Sequence, residues 1–222
     1  MCAEKTFSWH VLNEERSRRQ VGGTRPLDTL VVVHGDEIET RKVPTSVGRA
    51  IRKDPQLRDK QFSTAQEMLE CLGHVCRSCA MQSCLRLLQK RDYSTGELMS
   101  KLRTYGFDSR VCTTVVEDLE KSDLVSDTRF AEVFSRTKAR SGWGLGRIEY
   151  ELGRRGVDTT TLEDWPHAYI DPTHELDRAL SVAERKRVRP PNEYAKLVRF
   201  LMGRGFAQGV AMKAAHHVLD QN

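Results

Sequence analysis

The 222-residue sequence predicts a mainly α-helical protein built from three tandem three-helix repeats, with a short β-hairpin near its N-terminus. Three observations carry this prediction. Apolar residues follow helical spacing from Phe62 onward. A segment with recurring glycines and leucines occurs three times. Before Phe62, the run TLVVVHGDEIETRKV has the composition of two strands joined by a tight turn.

The hairpin is predicted with Gly35 and Asp36 at its turn, because an exposed Gly-Asp pair between β-prone runs favours a two-residue connection. The sequence on either side is polar and includes Gly22-Gly23, so we expect parts of residues 1–61 to be loose. Thr64 and Glu67 have the spacing of a capping box, which predicts the start of the first long helix.

The repeat is clearest in the segments ELMSKLRTYGF, RIEYELGRRGV and KLVRFLMGRGF, whose equivalent positions lie 49 or 50 residues apart. Two apolar residues four apart hold a short helix, and the glycine after it predicts a left-handed C-cap. The apolar residue after that glycine is expected to fold back onto the helix. The aligned sets are Leu98, Ile148 and Leu197; Leu102, Leu152 and Leu201; Gly106, Gly156 and Gly205; and Phe107, Val157 and Phe206.

A further helix is predicted before each copy, in SCLRLLQKR, DTRFAEVFSRTKAR and HELDRALSVAERKR, and the run RKRVR closes the last of these. A third helix follows the first and last copies, marked by Val111, Val115 and Leu119 and by Val210, Ala214 and Val218. The middle copy has only DTTTLEDW there, which predicts a short third helix.

These elements give a predicted division into an N-terminal segment, 1–61, and repeats at 62–123, 124–165 and 166–222. A unit of this size buries little apolar surface alone, so neighbouring units are expected to share their stability. The predicted result is an elongated, curved, solenoid-like module whose function depends on an extended surface.

The glycine-rich turn SGWGLG at 141–146 raises the possibility of a phosphate cradle, because bare backbone N–H groups before a helix attract anions. No strand precedes it, however, as a dinucleotide fingerprint requires. The repeat alignment places it opposite DYSTG and PPNEYA, which also start helices. We interpret it as a turn.

No Ser-His-Asp, HExxH or GxxxxGK[ST] pattern occurs, so we expect a non-enzymatic protein without a cofactor.

Four of the six cysteines lie in CLGHVCRSCAMQSC, together with His74. A metal or iron–sulfur site is one interpretation, but structural zinc ligands usually come as two separated pairs. Helical spacing instead places Leu72, Cys76, Cys79 and Ser83 on one face, which favours a buried core. The remaining cysteines are Cys2 and Cys112.

Without a signal peptide or membrane-length apolar run, we expect a cytoplasmic protein.

The net charge of +5 permits a polyanionic partner without requiring one. Basic residues recur at equivalent repeat positions, which predicts a charged stripe suited to phosphate backbones or an acidic groove. Cations near helix C-termini also interact favourably with the helix dipole, by about 0.3–1 kcal/mol each, so a structural role is the alternative for any one of them. The candidate binding residues are Arg91, Arg140, Arg147, Arg154, Arg155, Lys186, Arg187, Arg189, Lys196 and Arg204.

Residues 94–157 closely resemble the RecX family, the bacterial regulators of the RecA recombinase. The matching features include Gly106-Phe107, Arg129-Phe130-Ala131 and the glycine-rich turn that runs into Arg147-Ile148. The resemblance covers roughly residues 80–160 and is thinner in the third unit. The family usually has glycine where this chain has Asp123, and aspartate is among the few residues that enter left-handed geometry with modest strain.

The resemblance implies a protein that lies in the helical groove of the RecA–DNA filament, contacting RecA and the single-stranded DNA within it. RecX-like proteins block filament growth or promote disassembly, and damp ATP hydrolysis, strand exchange and SOS co-protease activity. A monomer without membrane contact is expected, and weak binding to free DNA stays open. The alternatives are a stand-alone DNA-binding protein with helix-turn-helix-like units and an enzyme that binds a nucleotide at the glycine turn.

Overall fold

A computed structural model of the chain describes residues 6–12 and 26–220. The predicted loose segment at Gly22-Gly23 lies outside these residues, as does Cys2. The chain divides into two compact units, the first comprising Met1–Tyr93 and Glu97–Val125 and the second Ser94–Gly96 and Ser126–Asn222. The mainly helical architecture with small N-terminal strands is confirmed. In the described part of the chain, no helix has the length and apolar character needed to cross a bilayer.

The first unit contains a four-stranded antiparallel sheet in the order β3-β2-β1-β4. Its strands are β1 (Phe7–Leu12), β2 (Leu27–His34), β3 (Glu37–Pro44) and β4 (Gln61–Phe62). The predicted hairpin is β2-β3, with Gly35 at φ +59° in its turn. The sequence analysis missed β1 and β4, which extend the hairpin into a sheet. Trp9 of β1 is buried, and its indole N–H donates to the Leu57 carbonyl at 2.7 Å.

The described helices of the first unit are α1 (Thr45–Lys53), α2 (Pro55–Arg58), α3 (Ala65–Leu88) and α5 (Ser109–Lys121), together with α4 (Thr95–Thr104) from Glu97 onward. The predicted N-cap at Thr64 is confirmed, and the Glu67 side chain reaches back to the residue before Thr64 rather than to Thr64 itself. The Glu67 N–H donates to Thr64 Oγ1, and the Ser63 N–H donates to Glu67 Oε2, both at 3.1 Å. Cys79, Cys84 and Cys112 are buried in the apolar core that α3 and α5 share with the sheet.

The second unit contains the helices α6 (Asp127–Arg140), α7 (Leu145–Arg154), α8 (Glu175–Glu184), α9 (Glu193–Gly203) and α10 (Gln208–Asp220). The short third helix of the middle repeat is confirmed as a single 3₁₀ turn, Thr159–Thr161. The prediction that RKRVR closes a helix was wrong, since α8 ends at Glu184. Pro190 disfavours helical geometry at Arg189, and Val188 packs against the apolar core of α8–α10.

The left-handed C-caps of the repeat are confirmed. Each C-cap glycine has positive φ, and the apolar residue after it donates its N–H to the carbonyl five residues back, as in a Schellman motif. The φ values are +85° for Gly106, +78° for Gly156 and +91° for Gly205. The bonds run from Phe107 to Leu102, from Val157 to Leu152 and from Phe206 to Leu201, at 3.1–3.2 Å. Asp123 also adopts the left-handed conformation, at φ +54°, so the aspartate does preserve that turn.

Candidate functional site

The glycine-rich turn joins α6 to α7 and packs against the end of α9. The Gly144 N–H donates to the Arg204 carbonyl at 2.9 Å, and the Gly146 N–H donates to the Gly205 carbonyl at 3.1 Å. The Leu145 N–H between them donates to Glu175 Oε1 at 3.1 Å. The backbone donors that a phosphate cradle would need therefore bond to protein oxygens, which supports the interpretation as a structural turn.

A related junction joins the start of α4 to the end of α7 within the second unit. The Thr95 N–H and hydroxyl both donate to the Asp127 carboxylate, at 2.8 and 2.7 Å. The Ser94 hydroxyl donates to the Arg155 carbonyl. A Cβ on Gly96 would lie 2.6 Å from that carbonyl oxygen. Sequence reasoning missed this close packing, although glycine occupies the aligned positions 96 and 146.

The first basic groove of the second unit has a volume of about 780 Å³ and lies among α6, the glycine-rich turn, α8 and α9. Of the predicted binding residues, Arg140, Lys186 and Arg204 line it. Arg178 and Arg185 line it as well and were not predicted. The described part of the chain contributes one carboxylate to the lining, Asp177, so positive charge dominates the groove.

The aromatic ring of Phe200 holds two of these cations in place. The Arg204 guanidinium carbon lies 5.2 Å from the ring centroid, and Lys186 Nζ lies 5.0 Å from it. Arg204 Nη1 also donates to the Ser141 carbonyl at 3.3 Å. Arg178 donates to the Asp171 carbonyl at 2.9 Å. Burial lowers the pKa of Arg178, but a guanidinium stays charged in proteins.

The second basic groove has a volume of about 460 Å³ and adjoins the first, since Lys186 and Phe200 line both. Four predicted residues come together here, and Arg199, which was not predicted, joins them. The Lys196 ammonium donates to the Arg189 carbonyl at 2.8 Å. Among the residues that the structure describes, no carboxylate lines this groove. The predicted residues in it are Lys186, Arg187, Arg189 and Lys196.

The other predicted residues of the second unit lie outside both grooves. The Arg147 guanidinium stacks on Trp143, with its carbon 4.1 Å from a ring centroid. Arg155 makes a short ion pair with Glu151, and Arg154 lies 3.5 Å from the same carboxylate. The hydrogen bond from Arg155 lowers the pKa of Glu151. The Glu151 carboxylate is therefore shared by two predicted cations and offsets at most one of their two charges.

Arg91 lies in the first unit and has a local partner. Its guanidinium pairs with Glu97 at 2.8 Å and stacks on Tyr93, with the guanidinium carbon 3.6 Å from the ring centroid. The hydrogen bond to Glu97 raises the pKa of Arg91. These contacts are sufficient to explain this residue as a structural cation.

The cysteine-rich segment forms part of α3. Within residues 6–12 and 26–220, no three His, Cys, Asp or Glu side chains are placed to hold a metal ion together. Burial raises the pKa of Cys76 and Cys84 to about 11, so both thiols are protonated at neutral pH. The arrangement is that of a packed helix face rather than a ligand set.

Three family models match the helical part of the chain, each describing one three-helix domain of RecX. The first domain matches residues 80–119, the second 126–164 and the third 174–214. The three matches correspond to the three repeats found in the sequence. The basic grooves lie in the part of the chain that the second and third domain models cover.

Curated relatives and solved structures agree with these models. The chain is 38% identical over 123 residues to "Regulatory protein RecX" of Chromohalobacter salexigens, an alignment covering 55% of this chain and 81% of that protein. It is 32% identical over 143 residues to the protein of that name from Legionella pneumophila strain Corby. That alignment covers 63% of this chain and 94% of the Legionella protein.

Two crystal structures share the fold. RecX from Lactobacillus salivarius aligns with a TM-score of 0.54 at 21% identity, over 64% of this chain and 96% of that one. A second regulatory protein RecX aligns with a TM-score of 0.57 at 17% identity, over 92% of this chain and 98% of that one. Together with the three matched domains and the curated relatives, these likenesses show that the chain belongs to the RecX family of regulatory proteins.

Proposed function

We propose that this chain binds the RecA–DNA filament and inhibits RecA, limiting its ATP hydrolysis, strand exchange and SOS co-protease activity. Family membership supports this function. The observation that carries it is the pair of contiguous basic grooves on the second unit, joined at Lys186 and Phe200. We further propose that the protein acts as a cytoplasmic monomer, without a catalytic step or a cofactor.

The grooves suit a polyanionic partner better than a small neutral ligand. Of the described residues, nine cations line them together, with Lys186 common to both, against the single carboxylate of Asp177. Arginine presents a planar fork of donors that matches phosphate and carboxylate oxygens. A cleft lined by charge of one sign attracts its partner over a distance and accelerates association. The filament offers both DNA phosphates and protein carboxylates to such a surface.

RecA ATPase on single-stranded DNA, with substoichiometric amounts of the chain, tests this function. We expect the unaltered chain to inhibit, and the double variant Arg140→Glu/Arg187→Glu to lose most of the inhibition. The matched control is Arg136→Glu/Lys213→Glu, which changes net charge equally at exposed positions of the same unit that line neither groove. The control should inhibit like the unaltered chain.

Thermal unfolding shows whether both variants keep their fold, since exposed substitutions usually change stability by no more than about 0.5 kcal/mol. Absence of inhibition by the unaltered chain under every nucleotide condition would refute the function. Full inhibition by the groove variant would refute the role of the grooves. Charge reversal at Arg147 and Arg155 tests separately whether the second repeat contributes beyond the grooves. We expect weaker inhibition, together with a lower thermal stability, because the change at Arg155 breaks its ion pair with Glu151 and places a second carboxylate beside it.

A stand-alone DNA-binding protein is the second candidate function, because the same grooves could hold DNA without RecA. It predicts tight binding to naked DNA whose affinity falls steeply with salt. Weak binding to naked DNA beside strong binding to the filament would favour the filament function. A nucleotide-binding enzyme predicts measurable ATP binding by the isolated chain, and the internal bonds of Gly144, Leu145 and Gly146 argue against it.

A further inference from the structure

The first unit contains a separate basic groove, which none of the predicted binding residues lines. It has a volume of about 410 Å³ and lies between α1 and the C-terminal half of α3, with Tyr105 at its edge. Four cations line it, and all four are exposed to solvent. They are Arg49, Lys53, Arg86 and Lys90.

The four cations approach the groove from two sides. Thr45, Arg49 and Lys53 recur every four residues along α1, which places them on one face of that helix. Arg86 occupies the last turn of α3, and Lys90 follows two residues after its end. Cβ atoms four residues apart on a helix are separated by about 5–6 Å. The groove therefore presents a row of charges rather than a single point charge.

None of these cations is neutralised within the groove. No aspartate or glutamate lines it, and within residues 6–12 and 26–220 no carboxylate lies within 4 Å of any of the four charged groups. Other basic residues of the unit do have partners, as Arg52 pairs with Asp28 at 2.8 Å and Arg58 with Asp59 at 2.7 Å. Like charges gathered without a counter-ion raise the local positive potential, which favours a bound anion.

Helix ends of both signs line this groove. Thr45 and Ser46, its first two residues, line the groove. Pro44 at the N-cap provides no side-chain hydrogen bond to the helix. A helix N-terminus carries about half a positive charge on its unpaired N–H groups. The C-terminal ends of α1 and α3 also line the groove, at Lys53 and at Arg86 and Leu87, and carry partial negative charge. The positive potential of the groove therefore comes from its four cations.

We propose that this groove binds the phosphate backbone of single-stranded DNA. Four exposed cations without a carboxylate match a chain of phosphates better than a single small anion. The volume is near the lower end of the range for small-ligand sites and is sufficient for about one or two nucleotides at a time. Tyr105 also lines the groove, where it is half-buried against the apolar core, and aromatic side chains are the groups on which unpaired bases stack. Bases in a duplex are not free to stack in this way.

The test is fluorescence anisotropy of a labelled oligothymidine with the full chain, over a range of sodium chloride concentrations. The groove variant is Arg49→Gln/Lys53→Gln/Arg86→Gln. The matched control, Arg77→Gln/Lys101→Gln/Arg110→Gln, removes equal charge from exposed positions of the same unit outside the groove. Circular dichroism and thermal unfolding verify that both variants are folded.

Each phosphate contact with single-stranded DNA contributes about 0.7 to the slope of log affinity against log salt. Loss of three contacts should therefore reduce that slope by about 2 and weaken binding about 10- to 100-fold at 0.1 M salt. The control should keep the slope and affinity of the unaltered chain.

The proposal would be overturned if the unaltered chain did not bind oligothymidine at low salt, or if the groove variant kept the salt slope of the unaltered chain. It would also be overturned if the groove variant and the control lost equal DNA affinity. Poly-glutamate that displaced the oligothymidine as well as DNA does would indicate an acidic protein partner instead. A duplex of equal length that competes as well as the single strand would also contradict the proposal. This DNA contact does not depend on RecA, so RecA ATPase assays with the same variants test the filament function separately.

Discussion

Replacing Gly144 with alanine tests whether the glycine-rich turn is a packing junction. Gly144 has φ −80°, which alanine adopts without strain, so any effect must come from its surroundings. A Cβ at this position would lie 2.3 Å from the Gly205 carbonyl carbon and 2.3 Å from the Phe206 nitrogen. Both are backbone atoms at the end of α9, so the turn must move away from that helix.

The expected loss of stability follows from the hydrogen bonds that this movement weakens. It would lengthen the bonds from Gly144 to Arg204 and from Gly146 to Gly205, each contributing about 0.5–1.5 kcal/mol. Overpacking of a close contact costs about 1–3 kcal/mol more. The smaller entropy of the unfolded alanine chain offsets about 0.4–1 kcal/mol. We therefore expect the free energy of unfolding to fall by about 3 kcal/mol.

Urea and thermal unfolding, followed by far-ultraviolet circular dichroism, measure this effect. For a chain of this size, about 3 kcal/mol corresponds to a melting temperature lower by roughly 6–12 °C. Gly153→Ala is the matched control, because it lies inside α7 and its Cβ would meet nothing within 4 Å. The free energy of unfolding of the control should rise by about 0.5–1 kcal/mol. A Gly144→Ala variant as stable as the unaltered chain would refute the packing argument.

Three further predictions concern other parts of the chain. Asp127→Ala should lower the free energy of unfolding by about 1–3 kcal/mol in urea titrations, because it removes the acceptor of two Thr95 hydrogen bonds. Cys76 and Cys84, with pKa values of about 11, should resist iodoacetamide at pH 8 until the chain is unfolded, as measured by mass spectrometry. The pKa of Asp171, lowered to about 2 by hydrogen bonds in its turn, should appear in a carbon NMR titration. This pKa is below the ordinary value for aspartate. The ionised Asp171 carboxylate therefore contributes to the free energy of unfolding above about pH 4, and this contribution is lost as the pH falls towards 2.

Features with a local chemical cause could be predicted from the sequence. The Gly35-Asp36 turn, the helix N-cap at Thr64, and the left-handed C-caps depend on residues close together in the chain. The strands β1 and β4 could not be predicted in this way. β4 has two residues and β1 six, and their conformation is fixed by pairing, as where Phe7 lies opposite both His34 and Phe62.

The same limit applies to the candidate site. Repeat spacing identified a basic surface, but the convergence of cations in two grooves depends on how α8 and α9 pack. Arg178, Arg185 and Arg199 were missed for this reason. The pairing of Arg155 with Glu151 did have a sequence signal, because opposite charges four residues apart on a helix lie side by side.

The C-cap glycines of the second unit show why a sequence repeat can encode packing as well as helix ends. Positive φ alone does not require glycine, since Asp164 and Asn192 adopt it at +54° and +66°. Gly156 and Gly205 meet a second restriction. A Cβ on Gly156 would lie 2.8 Å from the Gly96 Cα, and one on Gly205 would lie 2.4 Å from the Arg147 nitrogen. Each of these two glycines therefore ends one helix and also allows the start of another to approach it closely, so their spacing of 49 residues reflects contact between helices of the second unit.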